Sequence, residues 1–341
     1  MSQEKYYVEA YDPAAVKPSE EVLPRMFSAL MSDKETFKTK IGPFAKRSER
    51  NAWATSIEPI VREKAPFPAS YDVSSMQSTA FGEFTYTEFS AGGMYISTQS
   101  KEINARLIDF ASKHDSGKLG EEMIQKFIQA LSDKYVLKQT PEKYLGVEHV
   151  IFLPGHNLLD LADINLVQRL CQEEDDIWVK PHPLTEPNIV NQIAQKVGWN
   201  RIIPKDVSGQ TIMNNCKTVY TTTASEFCIT GAALGKRVYN ISRFECEGAG
   251  VYQPFCRVIT IAQKRQGIEE AKRILGNILA CPWSGVVFEF QEDFENRIDM
   301  YFAKALELRE LYRPLSCGRG DLDKRNKGPM PQQKEVKIPK G

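Results

Sequence analysis

The feature that most constrains the fold is a strand–turn–helix–strand pattern between Thr218 and Ser242. Thr218 to Tyr220 is β-branched and aromatic, which is typical of a strand. Phe227 to Leu234 is apolar and small, Gly235 suits the end of a helix, and Val238 to Ile241 resumes as a strand. This pattern predicts a βαβ unit, whose polar turn lies at the carboxyl end of its first strand. Open parallel sheets bind their ligands at that edge.

The polar turn carries four hydroxyl groups, on Thr221, Thr222, Thr223 and Ser225. Thr223 to Glu226 matches a capping box, in which Thr223 and Glu226 satisfy free N–H groups at the start of a helix. A helix N-terminus at this place favours an anion such as a phosphate. The turn is therefore a predicted phosphate-binding site.

Strands and helices alternate through the rest of the second half with short connections. Strands are expected at 148–153, 177–180, 201–203 and 257–261, and helices at 161–171, 187–197, 210–216, 268–279 and 294–312. This alternation favours the α/β class with a Rossmann-like, doubly wound parallel sheet. The first half is less regular. A hairpin is expected over 81–97, with helices at 26–44, 101–113 and 119–135.

Composition describes an ordinary globular chain. At 341 residues, it is long enough for two domains with cores of their own. The net charge is zero, so overall charge indicates no particular partner. Seven cysteines without a CxxC pair argue against a complete disulfide framework. The first twenty residues do not resemble a signal peptide, and no apolar run is long enough for a membrane span. We expect a cytoplasmic protein.

Lys180 to Pro183 reads Lys-Pro-His-Pro and directly follows a predicted strand. A residue before proline is disfavoured in the helical region, so this segment leaves the strand as an extended turn. That geometry places His182 over the carboxyl edge of the sheet. With Lys180 nearby, His182 is suited to bind a phosphate or diphosphate. The alternative is that His182 caps the next helix, and the sequence leaves both interpretations open.

Several enzyme classes lack their motifs in this chain. GxxxxGK[ST] and GxGxxG are absent, which argues against a kinase or a dehydrogenase. G-x-S-x-G is absent as well. The four histidines are scattered and no cysteine pair has ligand spacing, so no metal site is predicted.

Two segments together resemble the donor-binding domain of GT-B fold glycosyltransferases. They are VKPHP, ending at Pro183, and TVYTTTASEF…GAALGKRVYNI, starting at Thr218. The similarity is greatest to the capsule polysaccharide and sialyltransferase-like families, which carry a His-Pro motif after one strand and a Ser/Thr-rich turn before a helix. The resemblance covers residues 148–262. It implies a GT-B-like architecture of two domains.

The resemblance also implies a nucleotide-sugar donor, UDP- or CMP-linked, that is bound without a metal or other cofactor. The donor phosphate would be contacted by His182 and, together with the helix N-terminus, by Thr222, Thr223 and Ser225. Lys180 is a further candidate donor-binding residue, because of its charge beside His182. Gly155 and His156 would approach the donor from the first turn, where a glycine allows close contact with the backbone. Glu226 would reach the ribose, or its capping role alone explains it.

The general base is not evident from the sequence. The amino half lacks the acidic D/E-D/E-G motif that sialyltransferase-like enzymes keep there. A base would deprotonate the acceptor hydroxyl as the sugar–phosphate bond breaks. The candidates are Asp72, Glu83 and Glu88, near the predicted hairpin, although each is also typical of an exposed carboxylate. Inversion and retention at the anomeric centre stay open.

These expectations divide the chain into four segments. Residues 1–146 would form an acceptor-side domain and 147–290 a Rossmann-like donor domain, followed by a C-terminal helix at 291–315 and a basic, disordered tail at 316–341. From Arg313 onward there are five more basic than acidic residues.

The leading hypothesis is a glycosyltransferase acting on an acceptor saccharide. A phage-type enzyme that glycosylates hydroxymethylated DNA bases, in the host cytoplasm, is a second hypothesis. Its phosphate contacts would come from basic residues and its base stacking from aromatic ones: Lys38, Lys40, Lys46, Arg47 and Arg50, with Phe67, Tyr71, Phe84 and Tyr86. Solubility alone also explains the basic residues. A third hypothesis is a nucleotide-sugar epimerase, and a fourth is a non-catalytic nucleotide- or nucleic-acid-binding module. The oligomeric state is not predicted.

Overall fold

The computed structural model describes residue 53 and residues 56–66, 69–71, 84–98, 101–134, 137–243 and 250–311. Within these ranges, eight strands form two four-stranded sheets, and ten α-helices pack around them. The predicted helix at 26–44, the basic residues at 38–50, and the tail at 316–341 lie outside the described residues. No helix in the described ranges is both long and apolar enough to cross a membrane.

The second half contains the predicted parallel sheet. Its strands are β4 (His149–Phe152), β5 (Ile177–Lys180), β6 (Thr218–Thr221) and β7 (Arg237–Asn240), in the spatial order β5-β4-β6-β7. All neighbouring pairs are parallel. The Rossmann-like α/β class expected of a GT-B-like chain is therefore confirmed. The strand order reverses between β4 and β6, and a crevice at such a switch point is where open α/β sheets bind ligands.

The first sheet is mixed. It contains β1 (Ala69–Tyr71), β2 (Phe84–Phe89), β3 (Gly93–Thr98) and β8 (Val286–Phe288), in that order. β2 and β3 are antiparallel, as the predicted hairpin requires. β8 was not predicted, because three residues give too short a pattern to recognise. It pairs with β3, so a strand from the range predicted for the donor domain belongs to the first sheet. The domain boundaries stay a prediction.

The helices mostly match the predicted positions, with bounds shifted by a few residues. In chain order they are α1 (Glu58–Lys64), α2 (Lys101–Ser112), α3 (Lys118–Ala130), α4 (Ile164–Glu173), α5 (Pro187–Val197), α6 (Gly209–Asn215), α7 (Phe227–Ala233), α8 (Gln253–Gln266), α9 (Ile268–Ala280) and α10 (Phe294–Leu311). Short 3₁₀ helices cover Glu142–Tyr144, His156–Leu161 and Trp199–Arg201.

Both faces of the parallel sheet are covered, as in a doubly wound fold. Successive strand residues point to opposite faces. Ile151 packs in one core cluster with residues of α4 and α5. Val150, its neighbour on β4, packs in another cluster with residues of α6. β4 is therefore buried from both sides, which explains why its residues Val150, Ile151 and Phe152 form a continuous hydrophobic run.

The two sheets share a core. Phe89 and Tyr95 of the first sheet pack in one cluster with residues of α7, α8 and α9. Phe84 and Tyr86 pack with α10 instead and are only 2% and 1% exposed. The prediction that these two aromatic side chains stack on an extruded DNA base is therefore wrong, because both are core residues of β2. Phe67 and the side chain of Tyr71 lie outside the described residues.

Two predicted strands do not form. Residues 257–261 lie within α8, whose first turn carries a proline and whose buried face includes Phe255, Cys256, Ile259 and Ala262. The spacing of these residues is helical, and their burial outweighs the strand preference of the β-branched residues at 258–261. Residues 201–203 form the end of a 3₁₀ turn and a single bridge from Ile202 to Val179.

We predict that Gly276→Ala destabilises the fold by about 1–3 kcal/mol, because overpacking forces the backbone to move. A Cβ on Gly276 of α9 would lie 2.8 Å from the backbone oxygen of Gly120 in α3, where the two helices cross. Urea unfolding of both proteins measures the difference. Gly146→Ala is the matched control, since its Cβ would meet nothing within 4 Å. Equal unfolding midpoints for wild type and Gly276→Ala would contradict the close crossing.

Candidate functional site

A cleft of about 200 Å³ opens at the carboxyl ends of β4, β5 and β6, where the parallel sheet faces the first sheet. It therefore lies at the switch point of the strand order. Six of the predicted site residues line it: Glu88, Gly155, Lys180, His182, Ser225 and Glu226. They come from separate segments of the chain, so the fold and not the local sequence brings them together.

The end of β5 contributes Lys180 and His182. Lys180 is 3% exposed, and its Nζ donates to the carbonyl oxygens of Pro181 at 3.0 Å and Lys205 at 2.9 Å. His182 Nδ1 accepts the N–H of Leu184 at 3.2 Å. In a neutral imidazole this places the proton on Nε2, which makes that atom a donor. His182 thus holds its own turn, and the residue that precedes α5, Glu186, makes no side-chain cap bond.

Burial lowers the pKa of Lys180 from its ordinary value of 10.5 to about 7. The charges of Asp133 and Asp206 act in the opposite direction, and the charge of Lys205 lowers the pKa further. The loss of water around the ammonium therefore outweighs the two acidic neighbours. Near neutral pH this side chain is divided between its charged and neutral forms, which suits a group whose charge responds to a ligand.

The hydroxyl-rich turn after β6 is arranged differently from the prediction. Only Ser225 lines the cleft, and its Oγ accepts the N–H of Phe227 at 3.3 Å. Thr222 and Thr223 are buried beneath the surface, 0% and 2% exposed. The N–H of Thr223 donates to Ser242 Oγ at 2.9 Å. The structure therefore does not bring these two threonines to the cleft surface with Ser225.

The predicted capping box is wrong. Glu226 makes no side-chain cap bond at the start of α7. Its Oε1 instead accepts the N–H of Ser90 at 2.7 Å and the hydroxyl of Ser90, and its Oε2 lies 2.5 Å from Lys134 Nζ. A buried carboxylate is stable only when it is paired, and these partners come from the first sheet and the segment after α3. The predicted contact of Glu226 with a ribose competes with this pairing.

Lys134 and Tyr252 complete the wall beside Glu226. Both donate to the carbonyl oxygen of Glu88, Lys134 Nζ at 2.6 Å and Tyr252 Oη at 3.0 Å. Burial opposes the charged form of Lys134, but the adjacent carboxylate of Glu226 outweighs it, so the pKa of Lys134 is raised. Lys134 is therefore a permanent cation. Sequence reasoning missed it because it lay inside the helix predicted at 119–135, which ends at Ala130.

Glu88 is the one candidate base that the structure places at the cleft. It lies on β2 and is 6% exposed. Asp72 and Glu83 lie outside the described residues. The side chain of His156 also lies outside them, although its backbone begins the 3₁₀ helix that follows Gly155.

Asp133 is a further cleft residue that sequence reasoning missed. Its Oδ2 accepts the hydroxyl of Ser208, and its Oδ1 accepts the backbone N–H of Gln210 at 3.2 Å. The carboxylate thus caps α6 from outside that helix. No local pattern could reveal it, since 75 residues separate Asp133 from Ser208.

Three potential metal ligands meet at the opposite edge of the parallel sheet. They are Glu148, His149 and Asp176, whose ligand atoms lie within 4.8 Å of one another. Glu148 Oε1 is 2.5 Å from Lys217 Nζ, and His149 Nε2 is 3.2 Å from Asp176 Oδ2. The hydrogen bond from Lys217 lowers the pKa of Glu148. The ion pair of Glu148 with Lys217 and the contact of His149 with Asp176 account for the cluster.

Comparison with known proteins identifies no family for this chain. No family model and no curated protein matches the sequence. Among solved structures, the chain is similar to a Listeria monocytogenes protein designated a UDP-N-acetylglucosamine 2-epimerase, with 13% identity and a TM-score of 0.27. The match covers 45% of this chain and 49% of that chain, so it spans about half of the other protein. A likeness of this size carries no inference about activity.

We predict that the free energy of unfolding of the wild type rises with pH relative to that of the Lys180→Met variant. Below pH 7 the folded and unfolded states both bind the lysine proton. Between the folded pKa of about 7 and the unfolded value of 10.5, only the unfolded state keeps it. The difference in unfolding free energy should therefore change by about 1.4 kcal/mol per pH unit in that window.

Denaturant unfolding from pH 6 to pH 10 measures this difference. Lys196→Met, an exposed substitution in α5, serves as the control and should run parallel to the wild type. Parallel curves for Lys180→Met and the wild type would show that Lys180 keeps its ordinary pKa.

Proposed function

We propose that this protein is a glycosyltransferase that moves a sugar from a nucleotide-sugar donor to an acceptor hydroxyl. The observation that carries the proposal is the composition of one cleft at the switch point of the parallel sheet. Lys180 and His182, which can bind a phosphate, line the side formed by β5, and the carboxylate residue Glu88 comes from the first sheet. Glycosyl transfer needs both of these groups, a charge that stabilises the leaving phosphate and a base for the attacking hydroxyl.

The donor phosphate would be bound by protein groups and not by a metal ion. Lys180 supplies a charge, and His182 Nε2–H and the hydroxyl of Ser225 supply hydrogen bonds. Charge-assisted hydrogen bonds to phosphate are among the stronger ones in proteins. A bound phosphate would also favour the protonated form of Lys180, since an opposite charge raises a lysine pKa. UDP- and CMP-linked sugars are the proposed donors.

In the proposed reaction, Glu88 takes the proton of the acceptor hydroxyl. The acceptor oxygen forms a bond to the anomeric carbon as the bond from that carbon to the donor phosphate breaks. The phosphate oxygen leaves with the bonding electron pair, and Lys180 and His182 stabilise its negative charge. The acceptor is proposed to be a saccharide, since two of the four side chains that would stack on a DNA base, Phe84 and Tyr86, are core residues.

A nucleotide-sugar epimerase is the second candidate. Such an enzyme needs acid and base groups on two sides of the sugar, and the carboxylate residues Glu88, Asp133 and Glu226 all line this cleft. Glu226 and Asp133 are engaged in hydrogen bonds that hold the cleft together, which favours the transferase. Epimerisation would form product without an acceptor, and transfer would not.

We predict that His182→Ala abolishes nucleotide binding and leaves the melting temperature of the free protein nearly unchanged. Saturation of the wild type at about 100 times Kd should stabilise it by roughly 2.7 kcal/mol. A thermal-shift screen against UDP, CMP, GDP and ADP measures both effects. His114→Ala, a substitution outside the residues that line the cleft, should behave as the wild type. No shift of the wild type with any nucleotide would refute the donor site.

We predict that Glu88→Gln lowers the rate of sugar transfer by about 100-fold or more, the usual contribution of a general base. Nucleotide affinity should change little, because the phosphate groups are bound by Lys180 and His182. Mass spectrometry of products, with and without a saccharide acceptor, measures transfer and epimerisation together. Asp72→Asn and Glu83→Gln are the matched comparisons. Full transfer by Glu88→Gln, with loss in one of the other two, would reassign the base.

A further inference from the structure

Gln210 has a buried oxygen atom without a partner. It is the second residue of α6, is 6% exposed and lines the cleft. Its Nε2 donates to Asn214 Oδ1 at 2.8 Å. Its Oε1 has no hydrogen-bond partner among the residues that the structure describes. An unpaired buried acceptor is unfavourable, so an oxygen placed at the edge of a cleft calls for a ligand that satisfies it.

The missing partner must donate a hydrogen. Because the amide nitrogen of Gln210 is already directed to Asn214, the open atom is an acceptor. A carboxylate and the fully ionised phosphate groups of a nucleotide-sugar offer no hydrogen at neutral pH, so neither can pair with Oε1. The complementary group is a ligand N–H or O–H. Gln210 therefore has a different role from Lys180 and His182, which suit the phosphate groups.

The surroundings of Gln210 favour a flat, largely apolar group. The half-buried ring of Phe227 lines the same cleft and packs edge to face on the buried ring of Phe152, with centroids 4.4 Å apart. α6 starts directly against them: a Cβ on Gly209 would lie 3.0 Å from the ring of Phe227 and 3.8 Å from that of Phe152. A sugar or ribose would need several polar partners here, whereas a nucleobase combines aromatic faces with N–H groups at its edge.

We infer that Gln210 recognises the nucleobase of the donor, with Oε1 accepting a hydrogen bond from an N–H group at the edge of the base. The inference rests on the proposed nucleotide-sugar site and states where each part of the nucleotide binds in it. The base lies beside the half-buried ring of Phe227, and the phosphates lie at Lys180 and His182, at the end of β5. Gln210 is a specificity residue and takes no part in the transfer step.

Calorimetric titration of the full chain tests this assignment. UDP, CDP, GDP and ADP are compared with pyrophosphate, which has no base, for the wild type, Gln210→Met and Asn214→Ala. We expect Gln210→Met to weaken the tightest-binding nucleotide about tenfold, the value of one lost hydrogen bond, and to leave pyrophosphate within about twofold. Asn214→Ala removes the partner of Nε2 but keeps Oε1, so it should bind the nucleotide within about threefold of the wild type.

A second measurement needs no substitution and so does not depend on the folding of a variant. A derivative of the tightest-binding nucleotide with all hydrogens of the donating nitrogen replaced by methyl groups, N3-methyl-UDP in the case of UDP or N4,N4-dimethyl-CDP in the case of CDP, lacks the donor hydrogen. It should bind the wild type about tenfold more weakly than its parent.

Three results would overturn the inference: equal affinity of the wild type for both forms, an unchanged nucleotide affinity in a folded Gln210→Met, or an equal loss for pyrophosphate and nucleotide. A wild type that binds neither nucleotide nor pyrophosphate would refute the proposed function itself.

Discussion

The carboxylate of Glu226 is the group on which the arrangement of the cleft depends. It is 6% exposed at the start of α7, and it is paired with Ser90 and Lys134, which belong to the other half of the structure. Lys134 also donates to the carbonyl oxygen of Glu88, so one ion pair fixes both the parallel sheet and β2. Removal of one partner from a buried pair leaves an uncompensated charge, at a cost of about 3–5 kcal/mol. The pair therefore determines geometry more than it adds net stability.

The aromatic core under this ion pair makes the same connection with apolar contacts. Phe89 directly follows Glu88, and its ring centroid lies 5.7 Å from that of Tyr252, 6.4 Å from that of Phe255 and 5.8 Å from that of Phe288. β2 is thus held by the helix that follows the parallel sheet and by the strand β8. Since close-packed cores deform little, the position of Glu88 relative to the end of β5 is set by packing as well as by charge.

Sequence patterns correctly predicted the helices and strands that are determined by residues close together in the chain. β5 matches the predicted strand, and α5 begins and ends where Pro187 and Gly198 predicted, the latter with a φ of 96°. The predictions failed where a contact with a residue distant in the sequence determines the structure. Glu226 follows a capping pattern, yet its partner Ser90 lies 136 residues away. The β-branched run at 258–261 became a helix, because Phe255 before it and Ile259 within it are buried in the shared core at helical spacing. The same limit concealed Asp133 and Lys134, whose roles exist only after the two halves meet.

Two lysines of one cleft are placed in opposite environments, and the contrast assigns their roles. Lys134 lies against the carboxylate of Glu226, so its ammonium is compensated and its pKa is raised. Lys180 is held by two carbonyl oxygens, and burial lowers its pKa to about 7. When the surroundings of two titratable groups in one site shift their pKa values in opposite directions, the two groups usually have different roles. Lys134 is a fixed charge of the scaffold. In the proposed donor complex, the phosphate would favour the charged form of Lys180, so its binding would be coupled to the uptake of a proton.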